Sequence, residues 1–233
     1  MFVDLTPEQH ALRREVRDYF QALMTPELRL AMRGAESGAS YKQLVRQMGR
    51  DGWLAVGWPK AYGGRGYAGT EQLIFFEEAN IAGAPLPFVT ISTVGPALME
   101  HGTDAQKQRF LPGIAAGEIH FAIGYSEPEA GSDLATLKTS ARLDGDHFVV
   151  NGNKLWTSGA EAADFVWMAA RTDPERKRHL GISLLILDTT SPGFSHTIIE
   201  TVGNTTAATY YDNVRVPRDM LVGELHGGWK LIT

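Results

Sequence analysis

The sequence predicts an α+β chain, helical throughout its first half and built of short antiparallel strands in its second. Three observations carry this. Capping boxes precede stripes of apolar residues spaced three and four apart before residue 118; the pattern shortens to alternation after Gly117; and Asp144-Gly145 sits between two alternating runs.

Taken in order, Thr6, Pro7 and Gln9 form a capping box with proline at the first helical position, and Leu12, Val16, Phe20 and Leu23 continue it as a stripe. Ser40 to Gln43 repeats the box before Leu44, Val45 and Met48, and Gly49 to Gly52 should end that helix. A third helix is expected over Gln72 to Ile81. Pro85 and Pro87 interrupt the chain, and a fourth is expected over Ile91 to His101. Thr103 to Gln106 opens a short helix that Pro112 should stop. After Gly117, the segment "TLKTSARLDGDHFVVNGNKLWTS" reads as a hairpin. "DFVWMAART", "LGISLLILD", "GFSHTIIET" and "ATYYDNVRV" are further strands, so six or seven strands without intervening helices suggest an antiparallel barrel or sandwich. "GGWKLIT" reads as the first turn of another helix, on which the chain stops.

With 233 residues, the chain suffices for one large or two modest domains. Twenty-two basic against twenty-seven acidic residues give no reason to expect nucleic acid or an anionic membrane as partner. The absence of cysteine excludes disulfides, a thiolate nucleophile and cysteine-ligated metal. No apolar run approaches the roughly 20 residues that span a bilayer. The start, "MFVDLTPEQH", lacks the marks of a signal or transit peptide, so a bacterial cytoplasmic location is expected.

Gly64 to Gly69 spells GxGxxG. Pro59 and the helical surroundings argue against a strand before it, so it reads as a helix–helix loop rather than a dinucleotide site. The seven histidines show no compact ligand spacing, no metal site is expected, and no G-x-S-x-G elbow is present. Glu77-Glu78 reads as a solvated helix face. "SEPEAGSD", residues 126–133, holds two carboxylates, Glu127 and Glu129, that suggest an acid–base pair. Pro128 and Gly131 favour a ligand-binding loop, in which Ser126, Ser132 and Asp133 offer polar contacts, and a plain structural turn is the third reading. In "NGNKLWTSGA", residues 151–160, Trp156 offers a flat surface beside Thr157 and Ser158, which suits a planar heteroaromatic ligand; a core tryptophan beside an ordinary turn is the alternative.

Five blocks in order, "GWLAVGWPKAYGGRG", "HGTDAQKQRFLPGIAAGE", "YSEPEAGSD", "VVNGNKLWTSGAEAADF" and "NVRVPRDMLVGELHGGWKLIT", resemble the acyl-CoA dehydrogenase family nearly end to end. The resemblance implies a helical N-terminal domain (1–117), a middle β-barrel (118–222) and, from 223 to 233, the start of a helical domain whose four-helix bundle is absent here. It implies FAD and an acyl-CoA substrate. Ile123, Gly124, Tyr125 and Ser126 would run along the flavin, Gly131 and Ser132 would approach it, and Ser132 would also face the CoA ester. Trp156 would pack on the isoalloxazine, with Thr157 and Ser158 bringing donors towards its reactive edge. Tyr125, Ser126 and Glu129 depart from the family's commoner residues, which bears on local shape and acyl preference. The catalytic base, which the family places in the bundle, is unknown here. An electron-transfer flavoprotein or similar acceptor and a homo- or hetero-oligomer are the implied partners, since domains left uncovered should expose apolar surface. A non-catalytic flavin- or CoA-binding subunit and a same-fold oxidase are the alternatives. The modified loop and the "GGWKLIT" ending are similar to actinobacterial dehydrogenases of steroid side-chain CoA esters.

Overall fold

The computed structural model describes residues 4–33, 37–202 and 204–232. They divide into two compact units, one comprising the chain to Pro87 together with Ala115–Glu118, the other Phe88–Ile114 and the chain from Ile119.

Among its described residues the first unit holds four α-helices, α1 (Pro7–Leu23), α2 (Pro26–Ala31), α3 (Ala39–Arg50) and α4 (Gly69–Ala82), and a 3-10 turn over Lys60–Tyr62. Thr6 and Gln9 cap α1 reciprocally, as the sequence predicts. α2 is not among the predicted helices; Thr25 caps it by accepting from the Leu28 amide, without the reciprocal bond that closes the box at α1. The Ser40 box does not form, because α3 already begins at Ala39 with no side-chain cap. Phe20, Trp53 and Phe75 make the aromatic centre, with Trp53 and Phe75 stacked at 6.0 Å. The Glu77-Glu78 pair is not a uniformly solvated face. Glu77 is exposed and meets Arg13, whereas Glu78 is 3% exposed and takes two hydrogen bonds from the Arg17 guanidinium, at 2.9 and 2.8 Å. That fork ties α1 to α4, where two apolar faces already meet.

The GxGxxG segment is a loop leading into α4, with no strand before it. Gly64 is required by packing: a Cβ there would lie 2.0 Å from the Trp58 carbonyl oxygen.

In the second unit a π-helical turn (Val89–Val94) runs into α5 (Gly95–His101), so the fourth predicted helix exists with a widened start. α6 (Asp104–Ala115) carries the predicted Thr103–Gln106 box. It does not stop at Pro112. Phe110, Leu111 and Ile114 are all buried, and their packing holds the helix through the one backbone bond that proline removes. Gln106 also donates to the Asp219 and Leu221 carbonyls, docking α6 on the sheet.

The sheet is built from eight strands: β1 (Phe121–Gly124), β2 (Ser140–Asp144), β3 (His147–Lys154), β4 (Phe165–Arg171), β5 (Ile182–Asp188), β6 (Phe194–Thr201), β7 (Asn204–Pro217) and β8 (Leu221–Val222), after which comes α7 (Trp229–Ile232). Their order is β6-β7-β3-β2-β4-β5-β8, with β1 on β4. The predicted β2–β3 hairpin forms, but its two-residue turn is Gly145-Asp146, one residue later than Asp144-Gly145, because Asp144 pairs with His147 as the last residue of β2. β4 and β5 are buried on both faces, which is why they read as continuous apolar runs. Most pairings are antiparallel, but β1 with β4 and β2 with β4 are parallel. The chain between β1 and β4 includes a loop and a whole hairpin, a connection long enough to bring β4 back alongside β1 in the same direction.

Gly64→Ala should lower the free energy of unfolding by about 1–3 kcal/mol, whereas Gly69→Ala, where a Cβ meets nothing within 4 Å, should change it by less than about 0.5 kcal/mol in urea titrations. Equal sensitivity at both would contradict a packing role for the first glycine.

Candidate functional site

Lys154 ends β3 in phase with buried Phe148 and Val150, and its own exposure is 0%. An ammonium there must be satisfied internally. Its Nζ donates to the Tyr125 carbonyl and to Glu127 Oε1, both at 2.9 Å. Glu127, 8% exposed, also accepts from the Thr139 amide through Oε1 (2.8 Å) and from the Lys138 amide through Oε2 (2.6 Å). Burial alone would raise the Glu127 carboxyl, but the Lys154 charge and the hydrogen bonds from Lys154, Thr139 and Lys138 outweigh it and hold the group below 4.5. Burial pushes Lys154 down to about 8 against the attraction of Glu127.

This pair separates the two carboxylates of the loop. Glu127 is a structural anchor, while Glu129 is exposed and paired with Lys138 at the surface. Lys138 meets both, through its amide at Glu127 and its ammonium at Glu129, so the two carboxylates are held in separate hydrogen-bonding roles, one buried and one at the surface.

Lys154 also brings the two polar segments side by side. One residue further on, the Leu155 amide donates to the Ser126 carbonyl (2.9 Å), so the end of β1 and the start of the Trp156 turn run together. Ile123 and Gly124 lie on β1, opposite Trp167 and Met168 of β4; no strand pairs with the other edge of β1 among the described residues. Gly124 closes against Val166, Lys154 and Tyr211, and a Cβ would lie 2.7 Å from Val166. The Tyr125 side chain turns inward, packing with Leu134 and Trp229 about Ala130, Leu137 and Ala169. Its buried hydroxyl makes no hydrogen bond of good geometry, and burial raises it to about 12, moderated by the neighbouring Trp167 indole. Tyr125 therefore offers a ligand its main chain, not its phenol.

Trp156 adopts φ 65° and remains 56% exposed, an unusual state for a large aromatic residue in a left-handed backbone. The next two residues hold it there. The Thr157 amide donates to the Ala207 carbonyl (2.9 Å), and the buried Thr157 hydroxyl meets Thr209 (3.3 Å), which in turn meets the Tyr211 phenol (2.9 Å). The Thr157 amide and hydroxyl are thus both held within the sheet. Ser158 is exposed, and its hydroxyl donates to Thr206 (3.0 Å).

Gly131 and Ser132 lie exposed at the far end of the loop. A Cβ at Gly131 would meet nothing within 4 Å, so the fold itself does not demand glycine there. Beside them Asp133 pairs with Arg178 (2.9 Å). The structure thus joins Ile123–Ser126 with Trp156–Ser158 and sets Gly131 and Ser132 at a distance along the same loop. The residues that sequence reasoning misses are Lys154, Thr206, Thr209 and Tyr211. Lys154 falls on the inward phase of its strand, which is the one signal that could have found it.

A group such as FAD requires a flat apolar face beside unpaired main-chain and hydroxyl groups. The exposed Trp156 indole supplies the flat face, β1 has no strand on its other edge among the described residues, and the exposed Ser158 hydroxyl, which donates to Thr206, keeps its oxygen lone pairs for a ligand. Among the described residues, no group of three or more His, Asp or Glu side chains is arranged to hold a metal ion, and no helix is long and apolar enough to cross a membrane.

Glu127→Gln and Lys154→Met should each lower stability by about 3–5 kcal/mol, and the double variant by less than the sum, since each single change strands a buried partner. Glu127 titrates lower in the folded chain than its ordinary 4.5, so its contribution is complete above that value and is lost as pH falls. Lys154 is depressed as well, from 10.5 to about 8, so at neutral pH its charge adds no net stability of its own. Urea midpoints measured from about pH 6 to pH 3 should therefore fall more steeply for the wild type than for Glu127→Gln. Parallel slopes would refute this assignment.

Two family models match the chain: acyl-CoA dehydrogenase, N-terminal domain, over residues 6–118, and acyl-CoA dehydrogenase, middle domain, over 122–214. Acyl-CoA dehydrogenase FadE29 of Mycobacterium tuberculosis (strain ATCC 25618 / H37Rv) is 55% identical over 235 residues, covering 100% of this chain and 61% of that protein. FadE26 of the same strain is 56% identical over 241 residues, covering 100% and 60%. Among solved structures, the ChsE4-ChsE5 complex from Mycobacterium tuberculosis superposes with a TM-score of 0.94 at 57% identity, over 100% of this chain and 60% of that one. The Tcur3481-Tcur3483 steroid ACAD gives 0.96 at 50% identity, over 100% and 61%. The chain thus spans about 60% of the length of these relatives. In sequence and in fold, this chain belongs to the acyl-CoA dehydrogenase family, of which it carries the N-terminal and middle domains.

Proposed function

We propose that the chain forms the flavin- and thioester-facing wall of an FAD-dependent acyl-CoA dehydrogenase that introduces an α,β double bond into an acyl-CoA. The observation that carries this reading is the exposed, strained Trp156 held against the Ser126 segment by the buried Lys154–Glu127 pair. On this reading Ile123, Gly124, Tyr125 and Ser126 line the cofactor through their main chain. Trp156 gives it a stacking face, and Ser158 gives a hydroxyl at its polar edge. Thr157 anchors the turn from beneath. Gly131, where added bulk meets nothing, leaves room for close approach, and Ser132 faces the thioester. When bound, FAD supplies the hydride acceptor for the β position. This chain's own contribution is to orient the two ligands and to exclude water from between them.

The α proton requires a base. Glu127, the one buried carboxylate beside these segments, is fully committed to Lys154 and two amides, so we assign the base to residues outside this sequence. Residues 1–117 serve as the helical domain, 118–222 as the middle domain, and 223–233 open a further helical segment. The similarity to two-subunit structures, one of them described as a steroid ACAD, supports a hetero-oligomer acting on a steroid substrate; to this we add side-chain CoA esters as substrate, a cytoplasmic location and an electron-transfer flavoprotein or similar acceptor. The same commitment of Glu127 favours a second reading, in which this chain binds flavin or CoA without catalysing the reaction.

Titrating FAD into the purified chain should give saturable binding, and Trp156→Ala should weaken it about 2- to 10-fold, the worth of one aromatic contact. Failure of the wild type to bind at micromolar FAD contradicts the flavin reading. Anaerobic bleaching of the bound flavin by an acyl-CoA would place a working base within these residues. A flavin that stays oxidised supports a base supplied from elsewhere.

A further inference from the structure

Strand β7 grips the Trp156–Ser158 turn from both of its faces. On one, Thr209 meets the Thr157 hydroxyl; on the other, Thr206 meets Ser158. The two contacts differ in kind. Thr157 and Thr209 are both fully buried, so their bond belongs to the sheet's interior. Thr206 is only 6% exposed, yet its hydroxyl accepts from an exposed serine two residues after Trp156.

We propose that Thr206 is a positioning residue for the cofactor, acting through Ser158; this rests on the flavin reading above. A hydroxyl carries one proton and two acceptor sites, and an exposed serine rotates freely unless something holds it. The bond to Thr206 fixes the Ser158 hydroxyl in one direction. Because Ser158 donates its proton to Thr206, its oxygen lone pairs stay free and are aimed at a donor on the ligand. Ser158 thus meets the ligand already oriented, so less freedom is lost on binding. Thr206 does not touch the ligand.

The test is FAD affinity, read by difference absorbance on the whole chain. Thr206→Val and Ser158→Ala should each weaken binding about 2- to 10-fold, the range of one neutral hydrogen bond. Thr206→Ser should restore the wild-type value, because it keeps the hydroxyl. Ser158→Ala combined with Thr206→Val should bind no more weakly than Ser158→Ala alone, since the threonine acts only through the serine. If valine disturbs the sheet, as shown by a lowered urea midpoint, Thr206→Ala takes its place in the cycle. Unchanged affinity in Thr206→Val, or an equal further loss in the Ser158→Ala background, overturns the proposal while leaving the flavin site intact. A wild-type chain that does not bind FAD overturns both.

Discussion

A lysine ammonium with no contact with water is the constraint on which this site depends. Lys154 can remain charged at neutral pH only because Glu127 and the Tyr125 carbonyl reach it, and both belong to the segment after β1. Satisfying one buried charge therefore draws two stretches, about 25 residues apart in the chain, into a single wall. The pair is weak evidence for stability in itself. A buried salt bridge loses about as much in desolvation as it gains in attraction; here burial outweighs the attraction of Glu127 at Lys154, whereas at Glu127 the Lys154 charge and the hydrogen bonds outweigh burial. Its value lies in specificity: apolar residues could fill the space, but they would not fix where Ser126 stands beside Leu155.

That fixed register gives the neighbouring residues their roles. Trp156 is presented to solvent in a backbone state that a bulky residue avoids, which persists only because β7 ties down the next two residues. The buried hydroxyls of Thr157, Thr209 and Tyr211 link to one another within the sheet, while Ser158 stays exposed. The carboxylate that sequence alone could cast as an acid or base is spent in building the wall. On the proposed reading, this chain supplies binding and orientation while proton removal falls to other residues.

Much of this is legible in the sequence, and the failures have physical causes. The Thr6 and Thr103 boxes form because their side chains face the helix ends unopposed, and the helical surroundings of the GxGxxG segment correctly argue against a preceding strand. α2 begins with Thr25-Pro26-Glu27, a capping threonine, proline and acidic residue like those that open α1, so its signal is present in the sequence. Pro112 and Ser40 mislead because local propensity is overridden, by buried apolar packing at the first and by an earlier helix start at the second. The parallel β1–β4 pairing has no local signature at all. At the site, alternation marks Lys154 as inward-facing, but nothing in the sequence pairs it with Glu127 rather than Glu129. Only three-dimensional proximity makes that choice. Thr206 and Thr209 read as ordinary strand residues for the same reason.

The most direct test of the central claim is amide hydrogen exchange across residues 124–139 and 151–160 in the wild type and in Lys154→Met. If the buried pair holds the two segments as one unit, both should lose protection together and by similar factors, the Leu155 amide among them. Loss confined to 151–160, with 124–139 exchanging as in the wild type, would show that the loop keeps its own shape and that Lys154 does not organise the wall.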